Sequence, residues 1–331
     1  MIKIPVDRIV KTINQRKARR VLIQAPEGVK IQLEKILPEI LEKTGVEIII
    51  HGDSCFGACD LALHDLEKLS CDLLIHLAHT PLCEVSERTI FINVEDSVEL
   101  SRELIVKAVN LFRGKKVGLI ASAQYLELMR KVKKELQKND VEVIVGKSSN
   151  PYLAEGQVIG CEISAASSIE KHVDSFLIVS SGYFHALGVA LKVERKVFLL
   201  DPYREDLLDL DSIVRKKLAI IAERIDRAKR ARRFGVIIGL KGLQTKLDSA
   251  FNIVKRLKKL GKDTFIIAIS EMTPEKLLYY PDIECFIQTI CPRISIDDIE
   301  SYKKPLLSYE QFEVMIGDKE FEDTYPTARR V

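Results

Sequence analysis

The sequence predicts an α/β protein of three similar domains, each a small, mostly parallel sheet flanked by helices. Short continuous apolar runs alternate with amphipathic stretches of helical spacing, which is the pattern of strands buried between helices. The pattern restarts twice, at intervals of about 100 residues. A chain of 331 residues is also long for one core. We therefore expect three successive units that form a triangle with pseudo-threefold symmetry.

The first expected domain covers residues 1–96. Its apolar runs end at Pro, Gly or Asp residues, which is typical of strands that stop at turns. We expect strands at 20–26, 46–53, 71–79 and 89–96, with helices at 30–45 and about 58–69.

The second and third expected domains cover residues 97–204 and 205–331, the latter with a less regular C-terminal tail. Strands are expected at 115–123, 141–146, 173–182 and 196–202 in the second domain, and at 233–242, 262–270 and 283–292 in the third. A long helix is expected over 206–232.

Composition narrows the class of protein. Charged residues make up 30% of the chain with a net charge of +3, which argues against direct nucleic-acid binding or a membrane-bound surface. The N-terminus lacks a signal-peptide pattern, and no apolar run approaches the roughly 20 residues that cross a bilayer. We expect a cytoplasmic protein without a membrane partner. The seven cysteines, an odd number, are then free thiols or metal ligands rather than a disulfide framework.

Three cysteines follow predicted strands, one in each domain. They are Cys59, Cys161 and Cys291. Ligands of parallel α/β sheets bind at the carboxyl ends of the strands, so these thiols could converge if the domains face a common axis. No zinc-finger doublet or C-x-x-C pair occurs, which excludes a local metal knuckle. Spacing alone leaves open that each is a small buried hydrophobic residue.

The residues next to these cysteines in sequence favour a ligand-binding role for the three thiols. Gly57 and Ala58 permit close approach to Cys59, and the expected helix start there would stabilise a thiolate. Gly160 likewise permits close approach to Cys161. Arg293 follows Cys291 and could pair with a carboxylate on a bound ligand.

The other four cysteines are weaker candidates. Cys71 and Cys285 lie in apolar strands and are expected in the core. Cys83 lies in a loop after a strand. Cys55 forms a C-x-x-x-C pair with Cys59, but Gly57 interrupts the helical geometry that would bring both sulfurs to one ion.

Five motifs in order resemble one family across essentially the whole chain. The motifs are "GDSCFGACDLA", "SSGYFHALG", "GLKGLQ", "QTICPRISIDD" and "KPLLSYE". They are similar to those of the archaeal diphthamide-biosynthesis enzymes, the iron-sulfur 3-amino-3-carboxypropyl transferases. The resemblance implies a homodimer of three-domain α/β subunits in which Cys59, Cys161 and Cys291 hold a [4Fe-4S] cluster with one open iron.

The resemblance also implies the reaction. The open iron would bind the methionine part of S-adenosylmethionine, and an electron from an unidentified donor would give a 3-amino-3-carboxypropyl radical. This radical would add to C2 of a histidine imidazole in translation elongation factor 2, the first step of diphthamide formation. The chain lacks the C-x-x-x-C-x-x-C run of ordinary radical enzymes, which agrees with this altered cleavage.

Further polar positions are candidates for binding the cofactor or substrate. Gly182 and His185 follow a predicted strand; the histidine could contact the nucleoside or the incoming imidazole, or be a satisfied loop residue. In "GLKGLQ", Gly239, Lys241 and Gly242 lie between a strand and a helix, where anions bind.

Other polar groups are expected to be structural. His51, His76 and His79 cluster at strand ends, where packing explains them better than zinc does. The basic stretch 227–233 ends a long helix and is expected to be solvated, with docking of the protein substrate as the alternative.

Two other functions remain open at this point. A quinolinate-synthase-like dehydratase would use the open iron as a Lewis acid on a small substrate. Alternatively, the chain could be a non-catalytic partner subunit that supports another chain's cluster.

Overall fold

A computed structural model of the protein describes residues 2–331. The strands are β1 (Ile2–Lys3), β2 (Arg20–Gln24), β3 (Glu47–Ile50), β4 (Leu73–Leu77), β5 (Thr89–Ile92), β6 (Glu95–Asp96), β7 (Lys116–Ala121), β8 (Glu142–Ile144), β9 (Ser175–Val179), β10 (Lys196–Asp201), β11 (Asp206–Asp209), β12 (Arg233–Gly239), β13 (Asp263–Ile269), β14 (Cys285–Gln288) and β15 (Leu306–Leu307).

Helices alternate with these strands. They are α1 (Val6–Arg16), α2 (Glu27–Thr44), α3 (Leu63–Lys68), α4 (Arg102–Phe112), α5 (Leu126–Gln137), α6 (Ser164–Ser167), α7 (Tyr183–Ala190), α8 (Asp211–Arg230), α9 (Leu247–Lys259), α10 (Pro274–Leu277), α11 (Ile294–Asp297), α12 (Tyr309–Met315) and α13 (Phe321–Thr324).

Three sheets repeat one strand order. The first sheet is β3-β2-β4-β5, the second is β8-β7-β9-β10-β11, and the third is β13-β12-β14-β15. In each, the first strand of the unit pairs in parallel with the second and the third, and the fourth strand lies beyond the third. The predicted α/β class with mostly parallel sheets is confirmed, and the common order supports an internal repeat.

The repeat extends to side chains in the second and third sheets. Gly118 of β7 is paired with Phe176 of β9, and Gly235 of β12 is paired with Phe286 of β14. A β-carbon at either glycine would come within 2.5 Å or 2.7 Å of the facing phenylalanine ring. The missing side chain therefore makes room for a buried aromatic ring at the same place in both sheets.

The long helix expected over residues 206–232 begins later in the structure. Residues 206–209 form β11, which pairs antiparallel with β10, so the second sheet continues beyond residue 204 and the long helix begins only at Asp211. The sequence pattern predicts a helix for the short run "DLLD" because it directly precedes an amphipathic stretch. Pairing with an open sheet edge decides its conformation instead.

The cores of the second and third sheets are continuous. One buried cluster extends from Ile120 and Phe176 through α8 to Phe234 and Phe312. The first sheet has its own core, which includes Ile23, Leu33 and Ile75. Within residues 2–331, no helix combines the length and apolar character needed to cross a membrane.

Candidate metal centre

One cavity of about 440 Å³ is lined by Cys59, Cys161 and Cys291. The first cysteine follows the first sheet's β3, the second precedes α6 beside the second sheet, and the third follows β14 of the third sheet. The structure thus places one thiol from each unit at the same cavity. All seven cysteines are free.

The Cys59 loop is held by the third sheet's "GLKGLQ" segment. The Leu243 amide donates to the Cys59 carbonyl oxygen at 3.0 Å. The Gln244 amide Nε2 lies 3.7 Å from the Cys59 Sγ, within reach of a weak hydrogen bond to sulfur. A β-carbon at Gly242 would come within 2.8 Å of the Cys59 carbonyl oxygen. Close backbone contact between units therefore sets the position of this thiol.

The expected helix start at Cys59 is wrong. The helix α3 begins at Leu63 and has six residues, whereas residues 57–60 form a turn closed by the Asp60 amide and the Gly57 carbonyl oxygen at 3.0 Å. The apolar spacing of "ACDLALHDLEKL" continues through the turn, so periodicity places the helix start too early. A helix dipole does not explain the environment of this sulfur.

The Cys161 loop is held by α7 of the same unit. Gly160 packs against the Phe184 ring, where a β-carbon would come within 2.5 Å, and Gly188 packs against the Gly160 carbonyl oxygen, where it would come within 2.4 Å. The Ile159 amide donates to the Glu162 carbonyl oxygen at 2.8 Å, which closes the turn. The two glycines let a helix and a loop touch backbone to backbone beside the thiol.

Gln288 fixes the turn that carries Cys291. Its side-chain oxygen accepts from the Ile290 amide at 2.8 Å and the Cys291 amide at 3.0 Å, while its Nε2 donates to the Cys291 carbonyl oxygen at 2.7 Å. The side chain is 1% exposed. Sequence reasoning did not single out Gln288 or Gln244, although both lie in the quoted motifs, because a lone glutamine has no spacing pattern.

The three thiols influence one another electrostatically. Burial raises the pKa of Cys291 to about 11, with the neighbouring Cys161 and Cys59 adding to the effect. Burial also raises the pKa of Cys161, again with a contribution from Cys59, although this side chain is exposed to the cavity. A bound cation would remove this repulsion, because coordination favours the thiolate.

The spacing of the thiols suits a group larger than one metal ion. In residues 2–331, Cys55, His76 and His79 are the sole three metal-ligating side chains whose ligand atoms all lie within 4.8 Å of one another. At least one pair of the three cavity sulfurs is therefore more than 4.8 Å apart. Sulfurs on one tetrahedral zinc ion lie about 3.8 Å apart, given Zn–S bonds of about 2.3 Å. Cysteine thiolates are the usual ligands of iron-sulfur clusters, and a set of three would leave one iron of a [4Fe-4S] cluster without a protein ligand.

Arg293 and His185 also line the cavity. Arg293 donates through Nη2 to Asp297 Oδ1 at 2.6 Å and to the Phe184 carbonyl oxygen at 2.7 Å, and its guanidinium stacks on the Phe184 ring. Its buried Nε has no protein partner among the described residues. His185 lies in the first turn of α7, and burial beside Arg293 lowers its pKa to about 4, so this imidazole is neutral at pH 7.

The four remaining cofactor-binding candidates do not line this cavity. Lys241 pairs with Asp60 Oδ2 at 3.3 Å and lies over the Phe56 ring. Gly239 packs against Gln244, and Gly242 against Cys59. Gly182 precedes α7 with a φ of 68°, and its amide donates to Asp201 Oδ2 at 2.9 Å. Their contacts within the described chain position the cysteine-bearing segments, and a role in ligand binding stays a prediction.

The remaining cysteines lie elsewhere. Cys71 and Cys285 are buried in the core, as expected, and Cys83 lines a separate groove. Cys55 is buried beside His76 and His79 rather than in the cavity wall. In the basic stretch, Arg227 and Arg230 pair with acidic residues one turn earlier on α8, as expected for a solvated helix face.

The fold and the site define a class: α/β proteins of repeated parallel sheets with a candidate metal centre formed between them. The chain belongs to the diphthamide synthesis family, because the model of that family, described as "Putative diphthamide synthesis protein", matches residues 25–326.

Named relatives extend over nearly the whole chain. A 2-(3-amino-3-carboxypropyl)histidine synthase of Pyrococcus horikoshii is 33% identical over 96% of this chain and 92% of its own length. Subunit 1 of the Saccharomyces cerevisiae synthase is 28% identical over 97% of this chain and 76% of its own length.

Two solved structures have a similar fold over nearly the whole chain. The crystal structure of Dph2 from P. horikoshii superposes with a TM-score of 0.86 at 31% identity, covering 97% of this chain and 93% of that one. A second crystal structure of that protein, with a 4Fe-4S cluster, matches equally well.

Proposed function

We propose that this protein transfers the 3-amino-3-carboxypropyl group of S-adenosylmethionine to C2 of a histidine imidazole in translation elongation factor 2, the first step of diphthamide biosynthesis. The observation that carries the proposal is the meeting of three thiols, one from each sheet, at a single cavity. Membership of the diphthamide synthesis family and the names of the relatives support the same reaction.

Cys59, Cys161 and Cys291 are the proposed ligands of a [4Fe-4S] cluster. They are free, they line one cavity, and at least one pair of their sulfurs is more than 4.8 Å apart, which is farther than two ligands of a single ion. When bound, the cluster supplies the electron that breaks the bond between sulfur and Cγ of the methionine part, which yields a 3-amino-3-carboxypropyl radical and methylthioadenosine. An electron donor outside this chain supplies that electron to the cluster.

The chain's own residues bind and enclose the small molecule. Phe56, Leu82, Ile159 and Phe184 give the cavity apolar walls that exclude water and suit an adenine ring. Arg293 is a positively charged donor that lines the cavity, and we assign its guanidinium to the carboxylate of the methionine part.

A homodimer is supported by exposed apolar residues at and next to one edge of the third sheet. Strand β13 is an edge strand, and Phe265 and Ile266 on it are 55% and 40% exposed. Leu247 and Phe251 of the neighbouring helix α9 are also more than half exposed. Clustered apolar surface of this kind is usual at protein interfaces and is costly in water. A second copy of the chain is the proposed occupant.

The two alternative functions have less support. A quinolinate-synthase-like dehydratase would not explain why the family match extends over residues 25–326. A non-catalytic partner subunit would not need all three thiols at the cavity. The purified chain, tested alone on the elongation factor, separates the proposed function from both alternatives, since neither the dehydratase nor the partner subunit would form methylthioadenosine and the modified factor.

The ligand assignment is tested by anaerobic reconstitution with iron and sulfide, followed by electron paramagnetic resonance of the reduced protein. Cys59→Ala, Cys161→Ala and Cys291→Ala should each diminish the cluster signal and abolish transfer. Cys71→Ala and Cys285→Ala are matched controls because both thiols are buried in strands or next to them, away from the cavity. Normal spectra from all three cavity variants would refute the assignment.

A further inference from the structure

A chain of hydrogen bonds runs from the backbone of the Cys59 loop to the cavity wall through Gln24, His76 and His79. It begins at the Gln24 amide, whose orientation is fixed. Its Nε2 donates to the Asp60 carbonyl oxygen at 2.7 Å, and its Oε1 accepts from the Ala62 amide at 3.1 Å. If the amide were flipped, its Nε2 would face the Ala62 N–H, another donor, and its Oε1 would face the Asp60 carbonyl oxygen, another acceptor. The oxygen that faces His76 is therefore an acceptor.

The fixed oxygen sets the tautomer of His76. Gln24 Oε1 lies 2.9 Å from His76 Nδ1, so this nitrogen carries the proton and donates it. His76 is fully buried, and burial lowers its pKa to about 3, so the imidazole is neutral and has one ring proton. Its Nε2 is therefore a lone-pair acceptor.

The tautomer of His79 follows in turn. His79 Nδ1 lies 2.8 Å from His76 Nε2 and must donate the proton of that hydrogen bond. Burial lowers the pKa of His79 to about 4, so it is also neutral and carries that single proton. The Nε2 of His79 is left with a free lone pair. It makes no hydrogen bond to protein across residues 2–331, and His79 lines the cavity.

A metal ion shared by Cys55, His76 and His79 fits this geometry less well. Two imidazole nitrogens on one tetrahedral ion lie about 3.3 Å apart, given Zn–N bonds of about 2.0 Å. The observed 2.8 Å is an ordinary hydrogen-bond distance, and a shared proton excludes a metal between the same two lone pairs.

We propose that His79 Nε2 is a preset hydrogen-bond acceptor that receives the imidazole N–H of the histidine to be modified. This inference rests on the proposed function and identifies a contact of that site with its protein substrate. C2 of an imidazole lies between the two ring nitrogens, so a bond to the N–H holds the reacting carbon next to His79. The tautomer is fixed through two relayed bonds, and the acceptor does not have to reorganise when the substrate arrives. The adenine amino group of S-adenosylmethionine is the alternative N–H donor.

Two variants test the roles of the two ring nitrogens of His79 separately. His79→Asn keeps an amide nitrogen near the position of Nδ1, which can still donate to His76, but removes the acceptor that faces the cavity. His79→Gln places an amide oxygen near the position of Nε2 and loses the bond to His76. We expect His79→Asn to raise KM for elongation factor 2 about tenfold, with KM for S-adenosylmethionine unchanged, and His79→Gln to retain more of the affinity. His172→Asn, at an exposed histidine outside the cavity, is the control.

Other outcomes would overturn the inference. An increase in KM for S-adenosylmethionine alone would assign the acceptor to the adenine amino group. An unchanged His79→Asn enzyme, with the same cluster spectrum and melting temperature as wild type, would show that Nε2 binds nothing. A stoichiometric zinc ion that Cys55→Ser loses would replace the relay by a metal site.

A direct readout does not depend on activity. Nitrogen-15 NMR of the histidine-labelled, cluster-loaded protein should show both His76 and His79 protonated on Nδ1, assigned with His76→Gln and His79→Gln. A proton on Nε2 of His79 would overturn the inference even if the enzyme is active. Conversely, wild-type protein that forms no methylthioadenosine would refute the proposed function, while the NMR result would still decide the relay.

Discussion

Gly242, in the third unit, lies against the backbone of Cys59, in the first unit. The two residues are far apart in sequence, and the fold brings them into contact between the first and third sheets. A β-carbon at residue 242 would come within 2.8 Å of the Cys59 carbonyl oxygen and 3.0 Å of the Leu61 amide nitrogen. The Leu243 amide bonds to the same carbonyl oxygen at 3.0 Å. The loop of one proposed ligand is therefore positioned by a glycine of another unit.

Gly242→Ala should impair cluster loading. The added methyl group must displace the Cys59 loop, which changes the spacing of the three thiols, and we expect less than half of the wild-type iron content. Gly261→Ala is the matched control, because Gly261 also has a positive φ of 68° but open space around its α-carbon. Both variants lose stability from the left-handed backbone. Equal iron content in the two would contradict a positioning role for Gly242.

Arg293→Lys should weaken binding of S-adenosylmethionine about tenfold while the cluster still forms. Lysine lacks the planar fork that now bonds to Asp297 and the Phe184 carbonyl oxygen, and it has no counterpart of Nε. Equilibrium binding to the loaded protein measures the effect.

Arg204→Lys is the control for that variant. Arg204 stacks on Tyr183, the residue next to Phe184 on α7, but it lies outside the cavity. A similar loss of affinity in both variants would indicate a general disturbance of α7 rather than a ligand contact.

Mild acid should destabilise the cluster-free protein. His76, His79 and His185 have pKa values of about 3, 4 and 4 in the fold, against 6.5 when exposed. Below pH 6.5 the unfolded chain binds these protons and the folded protein does not, so the stabilisation present above pH 6.5 is lost as the pH falls towards 4. The free energy of unfolding should decrease by about 1.4 kcal/mol per pH unit for each histidine.

Urea unfolding between pH 7.5 and 5 measures this slope. His76→Asn should reduce the slope by the share of one histidine. A slope that is the same in the variant and the wild type would mean that other groups cause the acid sensitivity.

Cluster loading should release protons and become less favourable in acid. Burial raises the pKa of Cys161 and raises that of Cys291 to about 11, so both thiols are protonated in the cluster-free protein at pH 7 and lose their protons to solvent on coordination. An indicator dye in weakly buffered, anaerobic reconstitution measures the total release, from which the protons given up by the incorporated sulfide are subtracted. Cys285→Ala should release the same number of protons as wild type, and a release no larger than the sulfide contribution would refute the assignment.

The periodicity of the sequence predicts the three units because most buried strands are short, continuous apolar runs that alternate with amphipathic stretches. It does not predict β11, whose four residues become a strand by pairing with β10. It also places the start of α3 too early, since apolar spacing continues through the turn that carries Cys59. The local hydrophobic pattern predicts a helix or strand well where burial follows the period of that element. It predicts poorly where a contact with a distant part of the chain determines the conformation.

The site shows the same division. Cys59, Cys161 and Cys291 are singled out by their positions after strands, and the fold brings them to one cavity. Gln288 and the His76–His79 pair are not identified from sequence as parts of the site, because their roles depend on hydrogen bonds that form only in the folded chain. Lys241 is conspicuous in sequence but pairs with Asp60.

Each sheet supplies one proposed ligand, so the cofactor would cross-link three parts of the polypeptide that otherwise touch through loops and helices. Oxidative loss of the cofactor would then leave each sheet intact and increase the freedom of the first sheet, which has its own core, to move against the second and third, whose cores are continuous. Damage by oxygen should therefore appear first as faster protease cleavage in the connections between sheets, while circular dichroism still reports native secondary structure.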